Sequence, residues 1–91
     1  VMDVNCNPSN PVIGVRSYSD SPEKVAELGL ELIKGLKESK VVPVAKHFPG
    51  HVDTDVDSHL SLPVVKHSIK RLRKVELLPF KTAIENGIDA I

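Results

Sequence analysis

Apolar runs typical of β-strands alternate with helical patterns along this chain, and that order most limits the folds open to it. The strand-like runs cover residues 1–5, 41–48 and 88–91, and the helical patterns cover residues 19–39, 68–77 and 79–86. Strands that alternate with helices pair in parallel through right-handed crossovers. The runs are apolar nearly throughout, as in parallel strands covered on both faces. The sequence therefore predicts an α/β fold, either an open doubly wound sheet or part of a (β/α)₈ barrel, which typically needs ~250 residues.

The pattern over residues 19–39 predicts the clearest single element. Asp20 or Ser21 can cap the helix, Pro22 suits its first turn, and Glu23 completes a capping-box pattern. The predicted apolar stripe consists of Val25, Leu28, Leu32 and Leu36, widened by Ala26, Gly29 and Ile33. At the other end of the chain, Gly87 is a natural helix stop.

Composition excludes several classes of protein. The 91 residues suffice for one domain at most, and 12 basic against 12 acidic residues give a net charge of zero. Nucleic-acid and membrane-surface binding both need an excess of Lys and Arg, so neither is predicted. Cys6 is the single cysteine and cannot form an internal disulfide. No apolar run reaches the ~18 residues of a membrane span.

The chain begins and ends inside apolar, strand-like runs. Domain boundaries usually fall in polar linkers, because few contacts cross them there. We therefore expect residues 1–91 to be a piece of a larger protein, cut at both ends.

The stretch VAKHFPGHVDTDVDSHLSLP gathers most of the chain's unusual chemistry. Active sites of parallel α/β proteins lie at the C-terminal ends of the strands. Lys46 and His47 fall at the end of the second predicted strand, and the predicted loop over residues 49–63 follows directly. Arg16 lies in the loop after the first strand. The topology therefore predicts that these residues share one face.

Two kinds of site are disfavoured by local sequence. His47 and His51 have an H-x-x-x-H spacing, but a helix is needed to bring both rings onto one face, and Pro49 and Gly50 oppose a helix there. We predict no metal site. Ser58 stands beside a histidine, but no G-x-S-x-G turn surrounds it, so we predict no serine triad.

The remaining constellation is the triplet Asp57-Ser58-His59. A carboxylate two residues before a histidine can accept the ring Nδ1–H, which orients the imidazole and leaves Nε2 free to exchange a proton. The same pair also suits a purely structural hydrogen bond within a loop. Spacing alone leaves both interpretations open, with the structural one ahead.

The stretch KHFPGHVDTDVDSHLSLPVV closely resembles the signature of glycoside hydrolase family 3, in its β-N-acetylglucosaminidase branch. The flanks VMDVNCNPSNPVIGVRSYSDSPEKVAELG and ELLPFKTAIENGIDAI resemble the segments on either side of it. This resemblance implies a (β/α)₈-type catalytic domain, of which residues 1–91 would be a slice from about the third strand into the fifth. It also implies retaining hydrolysis of terminal, non-reducing N-acetyl-β-D-glucosamine, usually from bacterial cell-wall sugars.

The resemblance also implies roles for particular residues. His59 would be the general acid/base and Asp57 its partner, while Arg16, Lys46 and His47 would bind the sugar. The family's nucleophile is an Asp in a later motif, past the last residue here, so we expect this chain in isolation to be inactive. The implied partner is a small GlcNAc-containing carbohydrate, and no cofactor is predicted.

The sequence is also compatible with two other functions. A family 3 phosphorylase is compatible with a His-Asp pair, because that pair places less negative charge near an incoming anion than a carboxylic acid would. A non-catalytic carbohydrate-binding relative is also compatible. Val52 and Ser61 stand where the family usually has Gly, and both bear on how the loop closes.

Overall fold

The computed structural model describes residues 1–51 and 64–91. Its elements in chain order are a short 3₁₀ turn (Gly14–Arg16) and three α-helices, which are α1 (Pro22–Glu38), α2 (Ile69–Lys74) and α3 (Leu77–Glu85). Within these ranges no helix combines the length and the apolar character needed to cross a bilayer. The predicted pair Asp57 and His59 and the departures at Val52 and Ser61 lie outside the described residues.

Helix α1 begins as its sequence predicts. The Ser21 side chain caps the helix by accepting a hydrogen bond from the backbone N–H of Lys24, and Pro22 occupies the first turn. The capping box is not formed as predicted, because Glu23 accepts a hydrogen bond from the Ser21 hydroxyl. The cap is therefore Ser21, and the acidic side chain steadies it.

The buried face of α1 differs from the predicted stripe. Leu28 and Leu32 are 40% and 49% exposed, whereas Gly29 and Ile33 are buried. The reason is the neighbour that the helix receives. Met2 packs so closely on α1 that a Cβ at Gly29 would lie 2.3 Å from its sulfur, and this contact selects the flank of the stripe that faces inwards.

The two C-terminal helices are confirmed with shifted ends. Helix α2 lies inside the range predicted for it, and Ser68 caps it through the N–H of Arg71. Helix α3 begins at Leu77, two residues before the predicted start at Pro79. Proline is tolerated throughout the first helical turn because N–H groups there lack intrahelical partners. Gly87 follows α3 with a φ of +73°, as a helix stop should.

The predicted strands were wrong as continuous strands, although the parallel direction is confirmed at one point. The described residues contain a single isolated parallel bridge, between Val44 and Ala90. Backbone N–H groups that would extend a hydrogen-bond ladder between strands donate to other partners instead. The N–H of Asn5 donates to the carbonyl of Ser19, and that of His47 donates to the Asp3 carboxylate.

The three predicted strand segments nevertheless lie side by side. The Met2 N–H donates to the Lys46 carbonyl (2.6 Å), and the Ala45 N–H donates to the Ala90 carbonyl (3.0 Å). The segment around Ala45 therefore lies between the other two. A core of Met2, Ile33, Ala45, Phe80 and Ala83 joins these segments to α1 and α3. This packing carries the segment that contains Lys46 and His47 next to the start of the chain.

Candidate active site

Arg16 and His47 meet at one edge of the molecule, as the topology predicted. Arg16 Nη2 lies 3.5 Å from His47 Nε2, and Arg16 Nη1 donates to the Val12 carbonyl at 3.2 Å. The 3₁₀ turn places Arg16, while the end of the central segment places His47. Both side chains reach solvent, so the pair can meet a ligand.

Lys46 precedes His47 and is also exposed. Its carbonyl is held by the Met2 N–H, so the backbone that carries the ammonium group is tied to the start of the chain. The three residues predicted to bind sugar therefore lie on neighbouring loops, and two of them are in contact. The polar groups of these residues are a guanidinium, an imidazole and an ammonium group.

A buried carboxylate lies beneath this group. The Asp3 side chain is fully buried, and its Oδ2 lies 2.8 Å from His47 Nδ1. The same oxygen accepts a hydrogen bond from the His47 backbone N–H at 3.0 Å. Its Oδ1 accepts from the His51 backbone N–H at 2.7 Å. One carboxylate therefore binds both ends of the turn from His47 to His51.

The far end of that turn is held a second time. Asn10 Nδ2 donates to the His51 carbonyl at 2.9 Å. Asn10 Oδ1 accepts from the N–H groups of Val12 and Ile13, which orders the loop that leads to Arg16. The buried Asn10 therefore connects the loop of Arg16 to the turn of His47.

The turn rests on a buried acidic residue from the C-terminal half of the chain. Gly50 has a φ of +122°, and a Cβ there would lie 2.9 Å from the Cβ of Glu76. Glu76 is buried and forms an ion pair with Arg71, while the Cys6 thiol lies 3.7 Å from its Oε1. Glycine therefore suits position 50 for two reasons: the positive φ of its backbone and the lack of room for a Cβ beside Glu76.

Sequence reasoning missed three supporting residues, Asp3, Asn10 and Glu76. Asp3 did carry a signal, because a single acid between apolar neighbours in VMDVN must be paired if the segment is buried. Asn10 lies in the stretch NPSNP, whose Asn and Pro residues favour a turn but do not indicate a contact with His51. No local pattern distinguishes Glu76 from the other charged residues around it.

The described part of this site carries groups that can bind a polar ligand. Arg16 donates hydrogen bonds only, and an imidazole can donate or accept. Asp3 is fully buried and faces the ring of His47, so it is placed to orient a neighbour. Among the described residues, no group of three His, Cys, Asp or Glu side chains is arranged to hold a metal ion.

The whole chain, residues 1–91, matches the glycosyl hydrolase family 3 N terminal domain. The chain belongs to this family. The predicted resemblance is thus confirmed over its full length.

Three similar proteins indicate which members of the family this chain resembles. Beta-hexosaminidase A of Pseudoalteromonas piscicida is 49% identical over 84 residues, which cover 92% of this chain and 14% of that protein. A family 3 beta-N-acetylglucosaminidase from a Paenibacillus species superposes with a TM-score of 0.94 at 52% identity, covering 97% of this chain and 17% of that structure. NagZ from Neisseria gonorrhoeae, solved with N-trifluoroacetyl-D-glucosamine, gives a TM-score of 0.89 at 40% identity, covering 98% and 26%.

The chain spans only part of its relatives. It covers 14% of the Pseudoalteromonas enzyme and 22% of the beta-hexosaminidase of Neisseria meningitidis. An activity that needs residues from the whole protein is therefore a property to be tested on the full-length protein.

Proposed function

We propose that residues 1–91 are a slice of the N-terminal catalytic barrel of a retaining β-N-acetylglucosaminidase. The observation that carries this proposal is the close superposition on a family 3 beta-N-acetylglucosaminidase. The substrate class is a glycan with a terminal, non-reducing N-acetyl-β-D-glucosamine. Cell-wall sugars, with GlcNAc linked to MurNAc or anhydro-MurNAc, are the natural candidates in a bacterium.

The contact between Arg16 and His47 supports a role in holding the sugar. A pyranose presents hydroxyl groups that both donate and accept hydrogen bonds. A guanidinium donates hydrogen bonds from N–H groups in a rigid, forked arrangement. An adjacent imidazole nitrogen can accept a hydrogen bond from a hydroxyl group. NagZ, whose structure contains a glucosamine derivative, is 40% identical to this chain and shares its fold.

The proton transfers are assigned to His59. Retaining glycosidases use a nucleophile and an acid/base group on opposite sides of the scissile bond. Protonated His59 donates its proton to the glycosidic oxygen as a carboxylate attacks the anomeric carbon. Neutral His59 then takes a proton from water, whose oxygen attacks the same carbon and releases the carboxylate. Asp57 orients the imidazole in both steps.

The attacking carboxylate is proposed to come from a part of the full-length protein beyond residues 1–91. The isolated chain is therefore expected to lack hydrolytic activity. Detectable release of a chromogenic aglycone from a GlcNAc substrate by residues 1–91 alone would contradict this assignment.

The main test measures hydrolysis of a chromogenic β-GlcNAc substrate by the full-length protein. The variant His59→Ala should lose about 10²–10⁴-fold in kcat, which is the usual contribution of general acid–base catalysis. Lys34→Ala is the control, because Lys34 is an exposed residue of α1, which contributes no residue to the proposed site, and this variant should retain activity. A loss below about tenfold in His59→Ala would remove His59 as the acid/base.

Product analysis separates this function from its alternatives. With phosphate present, a hydrolase releases free GlcNAc, whereas a phosphorylase forms GlcNAc 1-phosphate. A protein that binds the sugar but yields neither product is a non-catalytic carbohydrate-binding relative.

A further inference from the structure

Asp3 is a fully buried charged side chain that the predicted site did not include. It lies between Met2 and Val4, both of which are buried. A carboxylate in such surroundings is costly unless hydrogen bonds compensate for its lost hydration. Two backbone N–H groups and the Nδ1 atom of His47 supply that compensation here. All three partners belong to the turn from His47 to His51.

The two neighbours of the His47 ring determine where its proton lies. A carboxylate can only accept, so the hydrogen between Asp3 Oδ2 and His47 Nδ1 belongs to Nδ1. A guanidinium can only donate, so the His47 Nε2 that faces Arg16 carries a lone pair. Both neighbours therefore favour the same tautomer, with hydrogen on Nδ1 and an acceptor at Nε2.

We propose that Asp3 is a positioning residue, which holds His47 in the Nδ1–H tautomer and so makes Nε2 a hydrogen-bond acceptor, which faces Arg16 in the free protein and accepts from a sugar hydroxyl in its place when the ligand binds. The proposal rests on the sugar-binding function proposed above. It refines that function, because an acceptor at Nε2 selects a ligand group that can donate a hydrogen bond. A hydroxyl meets this requirement, whereas a methyl ether at the same position does not.

The proposal is tested in the full-length protein with Asp3→Asn. The amide keeps the size of the carboxylate but replaces one accepting oxygen with a donating NH₂ group. Oδ2 faces both the backbone N–H and the Nδ1 atom of His47, and Oδ1 faces the backbone N–H of His51. An NH₂ group at either position therefore opposes a backbone N–H and loosens the turn that holds the ring. We expect KM for a chromogenic β-GlcNAc substrate to rise about tenfold to a hundredfold, with a smaller change in kcat. Asp20→Asn, at an exposed acid, is the matched control and should match the wild type.

A spectroscopic readout tests the tautomer without any change at Asp3. In protein labelled with ¹⁵N in its histidines, the ring signals of His47 are identified by their loss in His47→Gln. We expect Nδ1 to show the shift of a protonated nitrogen and Nε2 that of an unprotonated one. In Asp3→Ala, which removes the acceptor that faces Nδ1, hydrogen should shift from Nδ1 towards Nε2, whereas a merely structural role for Asp3 would leave the tautomer unchanged.

Each outcome has a distinct meaning. Wild-type protein with the hydrogen on Nε2 would overturn the proposal, even if Asp3→Asn fails to fold. Folded Asp3→Ala with an unchanged tautomer and unchanged KM would overturn it as well. A wild-type protein that neither cleaves nor binds the GlcNAc substrate would overturn the proposed function, while the ¹⁵N measurement would still decide the role of Asp3 in the tautomer.

Discussion

The Nη2 atom of Arg16 lies 3.5 Å from the Nε2 atom of His47, across a sequence separation of 31 residues. This contact joins two loops that follow different segments of the predicted sheet. It is also the point at which the proposed sugar ligand would meet both side chains.

Replacing Arg16 with Ala should weaken sugar binding in the full-length protein. A hydrogen bond to a charged group typically contributes about 1.5–3 kcal/mol, which corresponds to roughly a 10- to 150-fold rise in KM for a β-GlcNAc substrate. Steady-state kinetics check this result. Arg73→Ala removes an exposed arginine away from the site and serves as the control. Equal KM values for both variants would exclude Arg16 from the binding site.

Replacing Gly50 with Ala should destabilise the turn that carries His47. The φ of +122° is poorly accessible to residues with a side chain, and the new Cβ would lie 2.9 Å from Glu76. We expect a cost of about 1–3 kcal/mol and lower activity. Gly35→Ala is the matched control, because a Cβ there meets open space within α1 and should stabilise the helix by about 0.5–1 kcal/mol. Thermal unfolding of both variants tests this difference, and a Gly50→Ala protein as stable as the wild type would refute it.

Replacing Glu76 with Ala should remove the buried carboxylate that pairs with Arg71. Arg71 is 33% exposed and so partly hydrated, and we expect a cost of about 1–3 kcal/mol, below that of a fully buried pair. Glu85→Ala breaks the exposed pair of Glu85 with Lys81, where a loss within about 1 kcal/mol is expected. Denaturant or thermal unfolding compares the two. If Glu76→Ala lowers the unfolding midpoint no more than Glu85→Ala does, the buried pair contributes little to stability.

Replacing Ser21 with Ala should remove the N-cap of α1. The lost hydrogen bond to the Lys24 N–H typically costs about 1 kcal/mol. Ser39→Ala, at the other end of the same helix, is the control, because Ser39 bonds to the helix through its backbone N–H, which alanine keeps. The difference in melting temperature between these variants measures the cap. Identical melting temperatures would show that the cap is dispensable.

Local sequence predicted the helices well, and the predicted topology placed Arg16 and His47 on one face, where the structure has them in contact. Helix α1 needs only residues within it and beside it, namely Ser21, Pro22 and a repeating apolar pattern. Its inward face could not be predicted as well, because Met2, which comes from another segment, selects Gly29 and Ile33 over Leu28 and Leu32. Apolar β-branched runs predicted strands, but hydrogen bonds to side chains and loops replaced most of the ladder.

By itself, the sequence of this protein determined the family, the main helix and the identity of the candidate sugar-binding residues. These depend on short-range patterns and on a motif that is continuous along the chain. The tertiary structure decided that Asp3 lies 2.8 Å from the ring of His47, although 44 positions separate them. A buried carboxylate must find hydrogen-bond donors, and only the folded backbone determines which donors lie within reach.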